Sequence, residues 1–341
     1  MTRLKSTLLS AAMAALVTTA AANQSFAIEP GDFTNYLRGA TQGLPLGALP
    51  PAGIYAGFGL NATGLGGNAG LGNQAIPGKV TAPAFGYGVN MLFVPGWKFL
   101  GATYGAAIVQ GMYLATSESS INPPFAASSV SSQLANTTFT PVDLSWSLGS
   151  GLFAALAFNV IAPDGSQWKS TAASVDLNPD YWTLSPAFAL SYLSSSWLLS
   201  GNFRYDINTA SKGNTMLNIV PGAAGFYSGN ELFGDLTALY KIGKWSIGPV
   251  AYFEAQTTAD KPGAGISCAA AALAFGGPVC GYQSQVAVGG LIGYDFGPVS
   301  VQTWFDDTVS CKNAVCGLDV WGRMSFRLIG FEAPKPLVAK N

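Results

Sequence analysis

The chain contains no histidine, and this absence limits the chemistry that its 341 residues can do. Histidine is the usual general base of hydrolases at neutral pH, so Ser-His catalysis is excluded. The carboxylates Asp306 and Asp307 are adjacent, but neighbouring residues of a strand point to opposite faces. The sequence shows no G-x-S-x-G turn, phosphate-binding loop or metal-ligand cluster. We therefore predict that the protein is not an enzyme and uses neither a cofactor nor a metal.

Four cysteines fall in two late segments of the chain, at positions 268, 280, 311 and 316. The simplest pairing is local, with Cys268 bonded to Cys280 and Cys311 bonded to Cys316. Two disulfides would fit a protein that passes through an oxidising compartment. A zinc site is the alternative, which the spacings and the missing histidine disfavour.

A further set of polar residues lies in segments where polar and apolar residues alternate. In 197–207, for example, Ser200, Asn202 and Arg204 alternate with apolar neighbours. We predict that such residues line the lumen of a barrel, as an ion-pair network that closes it or as a polar track for a solute. The candidates are Asp143, Arg204, Asp206, Glu231, Asp235, Glu254, Gln285, Asp295, Asp306, Arg323 and Arg327.

The elements that would position these residues are twelve predicted strands. They are expected at 52–60, 84–94, 97–114, 138–148, 152–161, 181–193, 197–207, 226–242, 245–256, 282–296, 299–307 and 318–331. Five short turns separate them at Pro95-Gly96, Gly149-Ser150-Gly151, Ser194-Ser195-Ser196, Gly243-Lys244 and Gly297-Pro298. These turns alternate with long connections at 61–83, 115–137, 162–180, 208–225, 257–281 and 308–317.

Short turns that alternate with long loops indicate an all-β, transmembrane, antiparallel up-and-down β-barrel. Charged residues make up 10% of the chain, against about 25% in soluble domains. A wall that faces lipid explains this low charge, whereas a secreted β-sandwich, the alternative, would need more. The short turns would face the periplasm and the long loops the exterior of a Gram-negative outer membrane.

The chain is expected to divide into four parts. Residues 1–27 have a basic start, an apolar stretch and an A-x-A-like site, typical of a cleaved signal peptide rather than an uncleaved anchor. Residues 28–51 would hang in the periplasm or fold into the lumen as a plug. The barrel would span 52–331, and 332–341 would form a tail.

Three tryptophans, Trp97, Trp197 and Trp245, each follow a short turn. Tryptophan prefers the membrane–water interface, so we predict an aromatic girdle on the short-turn side. Ordinary cross-strand packing is the alternative for these residues.

Several segments resemble the outer-membrane barrel family associated with the meta pathway of phenol degradation. They are Leu44–Gly53, Trp97–Gly105, Ala162–Gly165, Tyr205–Asn208, Tyr227–Asp235, Tyr240–Gly248, Gln256–Asp260 and Gly263–Gly265. The resemblance implies an outer-membrane channel for small hydrophobic or aromatic compounds. A barrel that transports nothing and binds a partner through disulfide-braced loops is the alternative. The expected partners are the lipid bilayer, the barrel assembly machinery and the solute. The net charge of −1 gives no reason to expect nucleic acid.

Overall fold

Twelve long strands form the body of the protein in the computed structural model. The structure describes residues 34–65, 80–81, 83–119, 127–166, 178–211, 224–264, 267, 282–312, 314 and 316–331. The predicted signal peptide, the predicted tail, Cys268 and Cys280 lie outside these residues. The long strands are β1 Gly53–Leu65, β2 Ala84–Val94, β3 Ala102–Ser119, β4 Thr137–Gly149, β5 Leu152–Ala162, β6 Thr183–Leu193, β7 Trp197–Asn208, β8 Glu231–Ile242, β9 Trp245–Gln256, β10 Ser284–Asp295, β11 Val299–Lys312 and β12 Leu318–Gly330. Among the described residues, no helix is long and apolar enough to cross a membrane.

The strands close into an antiparallel barrel in which each pairs with its neighbours in sequence. β1 completes the ring by pairing with β12, from Gly53 opposite Gly330 to Leu65 opposite Leu318. Closure leaves no unpaired edge, which a wall surrounded by lipid requires. The predicted all-β, up-and-down barrel of about twelve strands is confirmed.

Most predicted strand boundaries lie within two residues of the observed ones, and β2 and β9 match at both ends. The predicted start of β3 at residue 97 is wrong, because Lys98–Phe99 folds back and pairs with Ala102 and Thr103. The turn of this small hairpin contains Leu100 and Gly101, whose φ angles are +49° and +79°. Trp97 therefore precedes the turn instead of opening the strand.

The outer ends of the strands differ more from the prediction. β1, β3 and β11 continue past the predicted ends to Leu65, Ser119 and Lys312. Backbone hydrogen bonds need no apolar side chains, so pairing continues into segments whose polar residues look like loops. β8 begins at Glu231 and not at 226, because Ala224–Tyr227 pairs with Lys261–Ala264 in a separate two-stranded sheet.

Outward and inward residues alternate along the wall. Leu60, Val89 and Ile247 point outward and are 52%, 55% and 49% exposed, as lipid-facing side chains must be. Inward residues such as Asp235 and Glu254 are buried. Something other than lipid therefore covers the polar inner face.

Residues 34–50 of the chain supply that cover. They run through the lumen before β1 starts, in a path of tight turns such as Gln42 N to Gly39 O at 3.3 Å and Ala48 N to Pro45 O at 2.8 Å. We call residues 34–50 the lumen segment.

Candidate functional site in the barrel lumen

Asp235 on β8 is the main anchor of the lumen segment. Its Oδ2 accepts hydrogen bonds from the Tyr36 hydroxyl at 2.7 Å, the Thr41 backbone N–H at 3.1 Å and the Thr41 hydroxyl at 2.5 Å. Its Oδ1 accepts one from the Gly39 backbone N–H at 2.9 Å. Burial, followed by the charge of Asp235, raises the pKa of the Tyr36 phenol well above its usual value, so the hydroxyl stays a donor. One wall carboxylate thus holds three residues of the segment.

Arg204 and Asp206 on β7 form an ion pair next to this anchor, with Arg204 Nε 2.9 Å from Asp206 Oδ1. The Ser185 hydroxyl donates to the same oxygen at 2.5 Å. The Arg204 guanidinium lies 3.9 Å from the centre of the Tyr36 ring, where a cation is attracted to the aromatic face. The pair therefore supports the segment through Tyr36.

Glu254 on β9 pairs with Arg38 of the segment, with Arg38 Nη1 3.3 Å from Glu254 Oε2. Gln283 donates to Glu254 and, at 3.1 Å, to Glu231. Gln285 donates to the Tyr252 hydroxyl at 2.8 Å. This side of the lumen is therefore a connected polar network.

Arg323 on β12 holds the segment by its backbone. Its guanidinium donates to the carbonyl oxygens of Ala40, at 3.2 Å, and Gln42, and it lies 4.7 Å from the centre of the Trp304 ring. The Gln42 side chain in turn donates to Asp306 Oδ1 at 3.0 Å. Wall residues from β7, β8, β9, β11 and β12 thus converge on the segment.

Three predicted candidates lie away from this network. Asp295 is exposed at the short-turn end, where it accepts a hydrogen bond from the Gly297 backbone N–H at 2.7 Å. Arg327 is also exposed at that end and donates to the Ala52 carbonyl at 2.6 Å. Asp143 is half-buried, and its Oδ1 has no partner among the described residues. Asp295 and Arg327 therefore bind backbone groups at the short-turn end of the barrel and do not line the middle of the lumen.

Several residues of the network are absent from the predicted set. Tyr36, Arg38 and Gln42 belong to the lumen segment, whose position alternation cannot predict. Tyr252 donates to Asp319 Oδ2 at 2.9 Å, and both residues occupy inward positions of strands. Strict alternation along β9 and β12 would have identified these two.

An apolar cluster also lies inside the barrel. The side chains of its inward residues are buried together, and Leu37 and Ala40 of the segment pack against them. The cluster consists of Leu198, Leu239, Val250, Leu291, Trp304 and Trp321. The lumen therefore combines a polar network with a hydrophobic lining.

Three neighbouring strands place unpaired donors in one row. Backbone pairing aligns Trp304 with Trp321, whose rings stack with centroids 5.5 Å apart, and Trp321 with Asn61. Trp304 Nε1, Trp321 Nε1 and Asn61 Nδ2 are buried without a hydrogen-bond partner in the described part of the chain. A buried donor without an acceptor costs about 1–3 kcal/mol. Such a row is suited to a group that supplies oxygen atoms.

Three glycines lie side by side in the next row of the inner wall, beside Arg323 of β12, which pairs with Gly59. Gly59 pairs with Gly88, and Gly88 pairs with Gly111. A Cβ atom at Gly59 would be 3.9 Å from its nearest neighbour, the Gly322 carbonyl oxygen. In the adjoining row, Val109 points inward by its pairing with Asn90, yet it is 42% exposed. Cβ atoms at Gly88 and Gly111 would lie 3.2 Å from the Gln110 carbonyl oxygen and 3.3 Å from the Ala135 Cβ, so the free space is at Gly59 and not along the whole row.

The short-turn end carries clusters of exposed aromatic residues. Trp197 and Trp245 open β7 and β9 and contact Tyr240 and Tyr294, with ring centroids 5.0 and 4.7 Å apart. Trp97 stacks on Tyr104 at 5.8 Å. The interface girdle itself stays a prediction.

A disulfide joins Cys311 and Cys316 near the turn between β11 and β12. The second predicted disulfide involves residues outside the described ranges. In those ranges, no group of three or more acidic or cysteine residues is arranged to hold a metal ion.

The closed wall, the lipid-facing outer surface and the polar lumen define an outer-membrane β-barrel of a Gram-negative bacterium. The sequence matches the family described as "Putative MetA-pathway of phenol degradation" over residues 67–323. This chain therefore belongs to that family.

Comparison with the first of the following solved structures supports the fold. The COG4313 outer membrane channel from Pseudomonas putida F1 superposes with a TM-score of 0.62 at 10% sequence identity, covering 82% of this chain and 96% of that one. The transport unit of the autotransporter AIDA-I from Escherichia coli gives a TM-score of 0.45 at 11% identity, covering 82% and 90%. A deletion mutant of the TodX monoaromatic hydrocarbon channel gives 0.42 at 9% identity, covering 89% and 95%. No curated protein matches the sequence.

Proposed function

We propose that this protein is an outer-membrane channel for the uptake of small hydrophobic or aromatic compounds. The observation that carries the proposal is the apolar cluster inside the barrel. A water-filled porin has a polar lumen, whereas here leucines and stacked tryptophans lie on the inner face. An apolar lining lowers the free energy of an apolar solute inside the barrel.

The width of the lumen supports a small solute. Twelve strands enclose more space than a filled eight-stranded barrel and less than an open sixteen-stranded porin. The lumen segment occupies part of that space, with Asp235 and Arg323 holding it against the wall. The family description, which refers to phenol degradation, agrees with an aromatic solute.

Proteoliposomes test this proposal. Vesicles that contain the protein should take up phenol or toluene faster than vesicles without protein, and should take up a sugar of similar size no faster. Equal acceleration of all solutes in a broad panel would contradict it, because the lumen would then act as a general pore.

A surface barrel that binds a partner through its loops is the second candidate. The four hydrogen bonds from the segment to Asp235 favour it, because they keep the lumen occupied. Deletion of residues 262–279, most of which lie outside the described ranges, separates the candidates. Loss of partner binding with no change in aromatic uptake would favour the surface role.

A further inference from the structure

We propose that Asp143 on β4 recognises the positively charged group of a solute, namely the ammonium group of a small amine with an apolar body. This inference rests on the proposed function and adds a charge preference to it. The lumen favours organic cations over neutral molecules of the same shape and excludes organic anions. We call Asp143 and the inward residues beside it, Gly105, Ala107, Thr140 and Ala157, the Asp143 site.

A β-bulge turns Asp143 toward the lumen. Thr140 is buried inside, so strict alternation along β4 would place Val142 inward and Asp143 against lipid. Instead, the register of β4 shifts around Pro141 and Val142 against both neighbouring strands, and both residues are exposed on the outer face. Such bulges redirect the side chains that follow them. The chain thus departs from regular pairing and carries this carboxylate inside.

Asp143 pairs with Gly105 of β3, whose position confirms the inward direction. A Cβ atom at Gly105 would lie 3.0 Å from Leu49 Cδ1 of the lumen segment. Asp143 is also the central residue of the 13-residue strand Thr137–Gly149. Its carboxylate therefore lies about halfway through the lumen, where a solute that crosses the barrel must pass.

The carboxylate has no structural partner. Asp143 makes no hydrogen bond or ion pair with the described residues, and its Oδ1 is buried. The five consecutive strands β2 to β6 contain no lysine or arginine. A buried polar group without a partner destabilises the fold, so the fold itself gives no reason for this aspartate.

The first basic residue along the same row of the wall is Arg204. The row runs from Asp143 through Ala157 and Ala187 to Arg204, three strands away, which is roughly 14 Å at about 4.8 Å per strand. Arg204 is already paired with Asp206. A solute beside Asp143 therefore meets a negative charge and no positive charge nearby.

The wall around Asp143 leaves room for a solute. The inward residues Ala107, Ala157 and Ala187 are small and only half-buried, and Val109 is 42% exposed. Beneath the lumen segment, by contrast, inward residues such as Glu254 are 1% exposed. The segment thus leaves this side of the lumen partly uncovered.

The segment reaches this side only toward the short turns. Ser145, one row below Asp143, accepts a hydrogen bond from the Leu49 backbone N–H at 3.2 Å and donates to the Gly47 carbonyl at 2.7 Å. Leu49 also packs on Gly105. The end of the segment therefore supplies an apolar surface next to the carboxylate, which suits the apolar body of an amine.

An ammonium group fits the oxygen atoms of the site. It donates up to three hydrogen bonds, and a charged pair with a carboxylate is stronger than a neutral hydrogen bond. Thr140, one row above, donates to Asn159 Oδ1 at 2.7 Å, so its hydroxyl oxygen can accept. A calcium ion would need six to eight oxygen ligands, which one carboxylate and one hydroxyl do not supply.

Three compounds with one ring and different charges test the preference: benzylamine, benzyl alcohol and benzoate. Equilibrium dialysis would measure their binding at neutral pH to the full-length protein in nanodiscs of phosphatidylcholine, with empty nanodiscs subtracted. We expect the wild type to bind benzylamine about tenfold or more tightly than benzyl alcohol, and benzoate most weakly. Equal affinity for benzylamine and benzyl alcohol, or no specific benzylamine binding, would overturn the proposal without any variant.

The variant Asp143→Asn removes the charge and keeps the shape. It should lower benzylamine affinity about tenfold and leave benzyl alcohol affinity unchanged, whereas Asp143→Glu should keep the preference for the amine. The matched control is Asp307→Asn, which removes a charge from an exposed position of β11 and should change neither affinity. Heat-modifiable migration in gels would verify folding. Unchanged benzylamine affinity in folded Asp143→Asn would refute the site.

Uptake by proteoliposomes separates this inference from the proposed function. Toluene uptake by the wild type, together with benzylamine binding that Asp143→Asn does not alter, refutes the Asp143 site and leaves the channel. Benzylamine binding that Asp143→Asn abolishes, with no uptake of any aromatic compound, supports the site and refutes the channel.

Discussion

Replacing Asp235 with alanine should release the lumen segment. The carboxylate accepts four hydrogen bonds, from Tyr36, Gly39 and both the N–H and the hydroxyl of Thr41. Each bond contributes about 0.5–1.5 kcal/mol net, so together they stabilise the docked segment by about 2–6 kcal/mol. Bonds in one network are not additive, which makes the low end of this range the expectation. A loss of about 2 kcal/mol increases the undocked population about 30-fold.

Trypsin offers a direct assay, because it cleaves after arginine. Arg38 lies in the segment, and only 11% of its side chain is exposed while the segment is docked. In Asp235→Ala, cleavage after Arg38 should accelerate about 30-fold at limiting protease, as followed by mass spectrometry. Single-channel conductance in planar bilayers should rise in parallel, because the segment no longer occupies the lumen.

The matched control is Asp307→Ala. This substitution also removes an aspartate side chain, but from an exposed position one residue after Asp306. The Asp307 carboxylate does not contact the segment. If Asp235→Ala folds and shows the cleavage rate and conductance of the wild type, Asp235 does not anchor the segment.

The remaining predictions concern the wall and its loops. Leu60→Arg should destabilise the barrel by about 2–4 kcal/mol in vesicles, because Leu60 faces lipid near the middle of β1. Urea unfolding would measure this cost, with Leu60→Ala as the control that removes the side chain without adding a charge. Equal unfolding midpoints for the two variants would contradict the assigned face. Phe326→Arg should cost less, since Phe326 lies opposite Val299 at the start of β11, near the short-turn end; a cost as large as that of Leu60→Arg would contradict this depth. Replacing both Cys311 and Cys316 with serine should lower the free energy of unfolding by about 2 kcal/mol, because the disulfide no longer restricts this short loop in the unfolded chain. Aromatic uptake should stay unchanged. A loss of uptake would show that this loop forms part of the solute pathway. Mass spectrometry of a non-reduced digest should show Cys268 linked to Cys280, and a link from either residue to Cys311 or Cys316 would contradict local pairing.

The sequence predicted the wall well because its signals are local. The turn at Gly243 and Lys244 lies between β8 and β9 as expected, since two residues with a glycine at a φ of +60° suffice to reverse the chain. The errors occur where a segment found a different partner. Tyr227 appeared to continue into β8, but it pairs with Lys261 outside the barrel.

The site was predicted in part. Asp206, Glu231, Asp235, Glu254 and Asp306 are buried inward, as the alternation along their strands indicated. Their partners were not predictable in the same way, because Tyr36 and Asp235 are separated by 199 positions. The donor row of Trp304, Trp321 and Asn61 also requires the registers of two strand pairs, one of which closes the barrel.

The sequence by itself determined the number of strands, the order of turns and loops, and the face of most side chains. These properties depend on alternation with a period of two and on turn residues, which act over a few neighbouring positions. Tertiary structure alone decided that residues 34–50 occupy part of the lumen and that glycines from β1, β2 and β3 stand side by side in one row. Both depend on closure and register, because a shift of one residue would turn every inward side chain toward the lipid.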